Sequence, residues 1–306
     1  MEFSNLKETL RTVIAIPATP FAAGGELDLL SHHRLISALI SGGITVVTPN
    51  GNTGEFYSLS PDECRRMVAA TVEVADGRAI VVAGVGFDIE TAVGMARFAR
   101  QAGAAAIMVH QIIHPYRTHQ GWVAYHQAIA EAVPELGLVP YVRDNLVTPA
   151  MMKNLLEACP NIVGVKYAVP DPLLFASMVR EVGAERLAWV CGIAESWAPF
   201  FWVGGARGFT SGLVNVQPKL SLDMLECLRA GDYLGAMHIW SRLKPFEDLR
   251  SQHNHGNNVS VIKEAMAQLG LGRRAVRPPI SELPEWERAE VANILSTWEM
   301  RVASSG

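Results

Sequence analysis

The chain has 306 residues, 49% of them hydrophobic and 18% charged, with a formal net charge of −4; that is ample material for a large core and far from the polarity of a disordered chain. The slight acidity excludes the basic footprint of a nucleic-acid binder, and no Lys/Arg cluster marks a lipid surface. No apolar run is long enough to cross a bilayer, and the amino-terminal stretch before Pro17 and Pro20 is too short and too late for a signal peptide.

Short Val- and Ile-rich runs recur along the chain, each followed by a segment of helical periodicity. They are TVIAIP at Thr12, ITVVT at Ile44, AIVVAG at Ala79, AAIMVH at Ala105, GLVPYV at Gly137, IVGVK at Ile162, AWVCG at Ala188 and RGFTSG at Arg207. The runs are apolar throughout rather than alternating, the pattern of parallel strands covered on both sides. Among the helices, SPDECRRMVAATVEVA starts on a capping Ser60 with Asp62 and Glu63 in its first turn, and DPLLFASMVREVG runs from Asp171 to Gly183. Eight such units predict an α/β fold, a (β/α)8 TIM barrel over residues 1–217. A doubly wound sheet is the alternative, disfavoured because no glycine-rich dinucleotide fingerprint follows the first strand. Beyond Gln217 the strand signal stops, and helices are expected over roughly Lys219–Arg229, Tyr233–Gln252 and Val259–Leu269. A Pro-rich connector and a last amphipathic helix follow, so residues 218–306 read as a helical extension packed on the barrel.

In such barrels the chemistry sits at the carboxyl ends of the strands. Lys166 ends the sixth run, and a lysine is almost never buried without a partner. Pointed into the barrel mouth, it would lose part of its charge to desolvation and become a nucleophile able to form an imine with a ketone. A lysine that only snorkels to solvent fits the position alone equally well. Tyr141 closes the fifth run, Thr48 the second, and Ser211 follows the eighth, which would gather hydroxyl groups on one rim; a tyrosine there could move protons. The loop NGNTGEFYSL, with Asn52 and Thr53, could form a backbone nest for a carboxylate. His110, His114 and His119 invite a metal reading, but no acid or cysteine stands at a ligand spacing, so no metal is expected. HNHGNN, from His253, reads as a helix connector. Cys64, Cys159, Cys191 and Cys227 form no C-x-x-C pair and read as reduced thiols of a cytoplasmic protein.

Taken in order, IPATPF, GNTGE, the fifth-strand Tyr141, GVKYA, GGARGFTSG and VRPPI resemble the dihydrodipicolinate synthase and N-acetylneuraminate lyase family of class I aldolases over nearly the whole chain. The resemblance implies a barrel with a three-helix tail, a homotetramer or dimer, no cofactor, and a small 2-oxo acid as substrate. It assigns the imine to Lys166, proton shuttling to Tyr141, and the substrate carboxylate to Asn52 and Thr53. The synthases proper carry a threonine where this chain has Asn52, a relay tyrosine contributed by a neighbouring subunit and aligned at about His114, and an arginine at a different offset from Arg143. YVRDN, TGEFYSL and VRPPI are similar instead to the 5-dehydro-4-deoxyglucarate dehydratases, except that Tyr167 and Ala168 replace an acid and a glycine after the lysine. The expected activity is thus a Schiff-base lyase on a 3-deoxy-2-oxo sugar acid, with Arg143 holding a distal carboxylate and Ser211 and His114 at the substrate. Condensation of pyruvate with an aldehyde, a metal-dependent aldolase or hydrolase, and a silent 2-oxo-acid-binding paralogue are the alternatives.

Overall fold

A computed structural model describes residues 2–298. Eight strands, β1 (Val13–Ala15), β2 (Val46–Val47), β3 (Ile80–Val85), β4 (Ala106–Val109), β5 (Gly137–Val142), β6 (Gly164–Tyr167), β7 (Ala188–Cys191) and β8 (Gly208–Ser211), close into a barrel in sequence order. Every neighbouring pair is parallel, including β8 with β1. Each run of apolar sequence has become a strand because both of its faces are covered. One face joins a barrel-interior cluster that includes Ile14, Val46, Val82, Met108, Val139 and Val190. The other packs against the surrounding helices.

Helix α1 (Phe3–Thr9) plugs the amino-terminal end of the barrel. Its Leu6 approaches so closely that a Cβ on Gly137 would lie 2.4 Å from Leu6 Cδ2, which is why β5 begins on glycine. The ring helices are α2 (Leu29–Ser41), α3 (Pro61–Ala75), α4 (Ile89–Ala102), α5 (His119–Ala132), α6 (Pro149–Ala158), α7 (Pro172–Val182), α8 (Ala194–Val203) and α9 (Pro218–Ala230). Ser60 and Glu63 form a reciprocal capping box on α3, and the Asp171 carboxylate accepts from Leu174 N at the start of α7.

Helix α9 follows β8 as α2 follows β1, and it leans on α8 and β1. The division at residue 217 therefore falls inside the eighth βα unit. Beyond it come α10 (Tyr233–His255), α11 (Asn258–Gln268) and α12 (Glu285–Thr297), with a connector between the last two. Helix α10 packs on α8 and α9 and ends in a sharp kink at Gln252–Asn254, where HNHGNN turns the chain into α11.

Candidate active site

Strand alternation decides what points where on β6. Lys166 pairs in register with Tyr141 on one side and Val190 on the other, and all three face the barrel interior. Its neighbour Tyr167 faces outward, where its ring packs 5.2 Å from Phe175 and 6.3 Å from Phe201. The substitution after the lysine is thus absorbed by the outer layer, while Ala168 lines the site.

Lys166 is 4% exposed and has no carboxylate partner among the described residues. Burial brings its ammonium down to about 7, with a further push from the Arg143 guanidinium. Its Nζ lies 4.1 Å from the centre of the Tyr141 ring. Tyr141 is itself buried, which pushes its phenol up, and its hydroxyl accepts a hydrogen bond from Asn52 Nδ2 at 3.3 Å. Lysine, tyrosine and asparagine, from β6, β5 and the loop after β2, open on one cavity of about 700 Å³.

The loop that carries Asn52 and Thr53 is a tight turn. Gly54 N donates to Gly51 O and Glu55 N to Asn52 O, each at 3.0 Å. The amides of Asn52 and Thr53 donate to nothing among the described residues, so two N–H groups beside the cavity are free for an anion. The turn is held from behind. Thr19 Oγ1 donates to Gly54 O at 2.7 Å, and the buried Glu55 carboxylate pairs with Lys263 of α11 and accepts Arg277 N at 3.0 Å. Arg277 also grips Glu63 through two bonds of 2.7 and 2.8 Å and donates to Gly25 O and Ser58 O. The connector of the extension therefore braces the loop.

Arg143, one residue past β5, lines the cavity with its guanidinium 5.8 Å from the Tyr141 ring centre and no carboxylate partner among the described residues. Three expected residues are not brought to the cavity of their own chain. Ser211 faces the helices, where its hydroxyl contacts Ser221 Oγ at 3.2 Å and accepts from Val214 N; Thr210, one position earlier and opposite Ile14, is the inward residue. His114 lies exposed on the loop after β4, with Nδ1 against the Tyr116 backbone. Thr48 is buried but does not line the cavity.

The histidines are occupied by structure. His110 Nε2 lies 2.6 Å from Asn50 O, its ring stacks 3.8 Å from Phe56, and burial holds it neutral with a pKa near 3. Among the described residues no group of three His, Cys, Asp or Glu side chains is placed to hold a metal. Glu247, Arg250 and Asn258, from the extension, do line the cavity and were not expected. No local pattern could have flagged them, since they reach the site only through the packing of α10 and α11 on the barrel.

A closed parallel barrel with a desolvated lysine, a tyrosine and two unpaired amides at its carboxyl mouth has the frame of a barrel lyase. The chain belongs to the dihydrodipicolinate synthetase family, whose model matches residues 9–298. It is 31% identical over 304 residues to a probable 5-dehydro-4-deoxyglucarate dehydratase of Allorhizobium ampelinum, covering 98% of this chain and all of that one. The crystal structure of a dihydrodipicolinate synthase from Bacillus clausii superposes with a TM-score of 0.93 at 43% identity, covering 96% of this chain and 99% of the other. That of the Escherichia coli K12 prophage protein YagE, solved in complex with pyruvate, superposes at 0.87 with 26% identity, covering 95% and 99%.

Proposed function

We propose that the protein is a Schiff-base lyase that dehydrates a 3-deoxy-2-oxo sugar acid of the 5-dehydro-4-deoxyglucarate type. The observation that carries this reading is the neutral-leaning Lys166 amine, buried 4.1 Å from the Tyr141 ring at the floor of a cavity with a carboxylate nest. Nζ attacks the C2 ketone, and loss of water from the carbinolamine leaves a protonated imine. That imine draws off the C3 proton to give an enamine, which expels the C4 hydroxyl as water once the leaving oxygen is protonated. Hydrolysis of the imine then returns the free lysine and product. Tyr141, the one hydroxyl beside Lys166 with a donor already fixed on it, is the proton carrier in this scheme. Asn52 and Thr53 hold the carboxylate next to the ketone, and the unpaired Arg143 takes a distal one through its planar fork.

Condensation of pyruvate with an aldehyde is the second reading, favoured by the 43% identity to a structure named dihydrodipicolinate synthase. The four cysteines are all unbridged, and no described helix is long and apolar enough to span a membrane, which supports a cytoplasmic enzyme. By family membership it assembles as a homotetramer or dimer and works without a cofactor; dialysis against a chelator is expected to leave turnover unchanged.

The test is borohydride trapping with pyruvate and a panel of 3-deoxy-2-oxo sugar acids, read by intact mass and peptide mapping. The expected result is an adduct on Lys166, none in Lys166→Ala, and consumption of a sugar diacid by the wild type alone. Retention of turnover in Lys166→Ala overturns the imine; an adduct with no compound consumed points to a silent paralogue.

A further inference from the structure

The end of α10 is built with unusual care for a connector. His253, Asn254 and His255 are three consecutive non-glycine residues with φ of 53°, 54° and 65°, a left-handed run that L-residues avoid unless the surroundings impose it. Its effect is to fold Asn258 back onto Arg250, eight positions earlier. Arg250 Nε donates to Asn258 O at 3.3 Å and Nη2 to Asn258 Oδ1 at 2.5 Å, while Nη1 donates to Glu247 Oε1 at 2.6 Å.

Arg250 is only 6% exposed, yet it lines the cavity that holds Lys166. A guanidinium carries five N–H groups, and these three bonds leave two without a partner. Their direction is indicated by Gly212, just past β8. A Cβ there would stand 2.8 Å from Arg250 Nη2 and 3.0 Å from Thr53 Oγ1, so the absence of a side chain lets the arginine and the threonine meet in one corner. Thr53 belongs to the turn whose free amides form the anion nest. Two elements distant in sequence thus bring donors to one point of the wall beside Gly212, with Glu247 balancing the arginine's charge while the corner is empty.

We propose that Arg250 is a substrate-binding residue that holds, with Thr53 and the Asn52–Thr53 turn, the carboxylate beside the reacting ketone. The helical extension then supplies part of the 2-oxo-acid site instead of only covering the barrel. This rests on the imine reading above. Arg143, which lines the same cavity with no carboxylate partner among the described residues, is left for the far end of the substrate, so the site is matched to a 2-oxo acid bearing a second acidic group.

The experiment compares two ketones that differ in charge at this position, pyruvate and methyl pyruvate, by borohydride trapping on Lys166 across a concentration series. The proteins are the wild type, Arg250→Lys, and the double variant Glu247→Gln/Arg250→Gln, which leaves no orphaned buried charge. In the double variant the half-saturating pyruvate concentration is expected to rise about tenfold or more, the scale of one lost charge-assisted bond pair. The plateau of adduct and the half-saturation for the ester should stay at wild-type values. Arg250→Lys keeps the pair with Glu247 but loses the fork, and is expected to fall between the two; it decides the matter alone if the double variant does not fold. Equal weakening of pyruvate and ester, or of neither, means that Arg250 only welds α10 to the barrel and overturns the proposal. Failure of the wild type to form any adduct overturns the imine reading first, and this proposal with it.

Discussion

At the residue scale, the role proposed for Lys166 is set against stability. A buried amine without a carboxylate is disfavoured as the ammonium, and that same penalty would supply the proposed nucleophile. Between about pH 7 and its ordinary value of 10.5 the unfolded chain holds a proton here that the folded chain has released. Stability from this group therefore rises with pH across that window and is lowest below it. Lys166→Met, which fills similar space without a charge, is expected to stabilise the protein by about 1–3 kcal/mol at pH 7. The gain should shrink by pH 9, as urea melts at the two pH values would show. The rate of imine formation with pyruvate should rise with pH around 7 as the free amine is exposed; a flat profile would contradict the depressed ammonium. Tyr141→Phe removes the hydroxyl that Asn52 contacts and is expected to cut turnover by about 10²–10⁴-fold with little change in fold.

At the scale of elements, the loop after β2 depends on α11 and the connector beyond it. Glu55 is 2% exposed and Lys263 1%, so their ion pair is desolvated on both sides. Removing one partner strands a buried charge, which costs far more than the pair itself contributes. Lys263→Met is therefore expected to destabilise the protein by about 3–5 kcal/mol, and Glu55→Gln/Lys263→Met to recover much of that. Chemical denaturation of the set measures the coupling. A loss in the double variant equal to the sum of the losses in Lys263→Met and Glu55→Gln alone would mean that the pair does not act as a unit.

Across the whole molecule, acid sensitivity follows from three buried histidines. His32, His110 and His126 are neutral in the fold, with pKa values near 3, 3 and 4 because burial disfavours their charged forms. Below about pH 6.5 the unfolded chain takes up protons that the folded chain refuses, so stability falls with pH. Glu195 works the other way. Buried near Glu247, it is raised to about 7 and binds its proton more tightly folded than unfolded. The balance is a loss of about 2–3 kcal/mol between pH 7 and 5.5, readable from urea midpoints. Leu173, Val203 and Leu234, on α7, α8 and α10, are apolar and 81%, 76% and 86% exposed, surface that an assembly covering it would remove from water. Sedimentation is expected to give a mass of two or four times the 33.2 kDa chain.

The order of strands and helices was legible in the sequence because it is written in short-range pattern: apolar runs, capping residues such as Ser60 and Asp171, and glycines between units. Lys166 could be picked out for the same reason, as a charge at the end of a run that has no business ending in one. Facing could not be read so directly. In a strand buried on both sides, such as Gly208–Ser211, nothing alternates, so the choice of Thr210 over Ser211 for the interior was made only by the closure of β8 onto β1. The loop after β4 likewise leaves His114 outside the cavity of its own chain without any local sign of its course. Arg250, Glu247 and Asn258 belong to helical segments with ordinary composition, and they enter the site because α10 and α11 fold back across the barrel mouth. Local sequence determined the elements and set Lys166 at a strand end; long-range packing determined which side chains surround it.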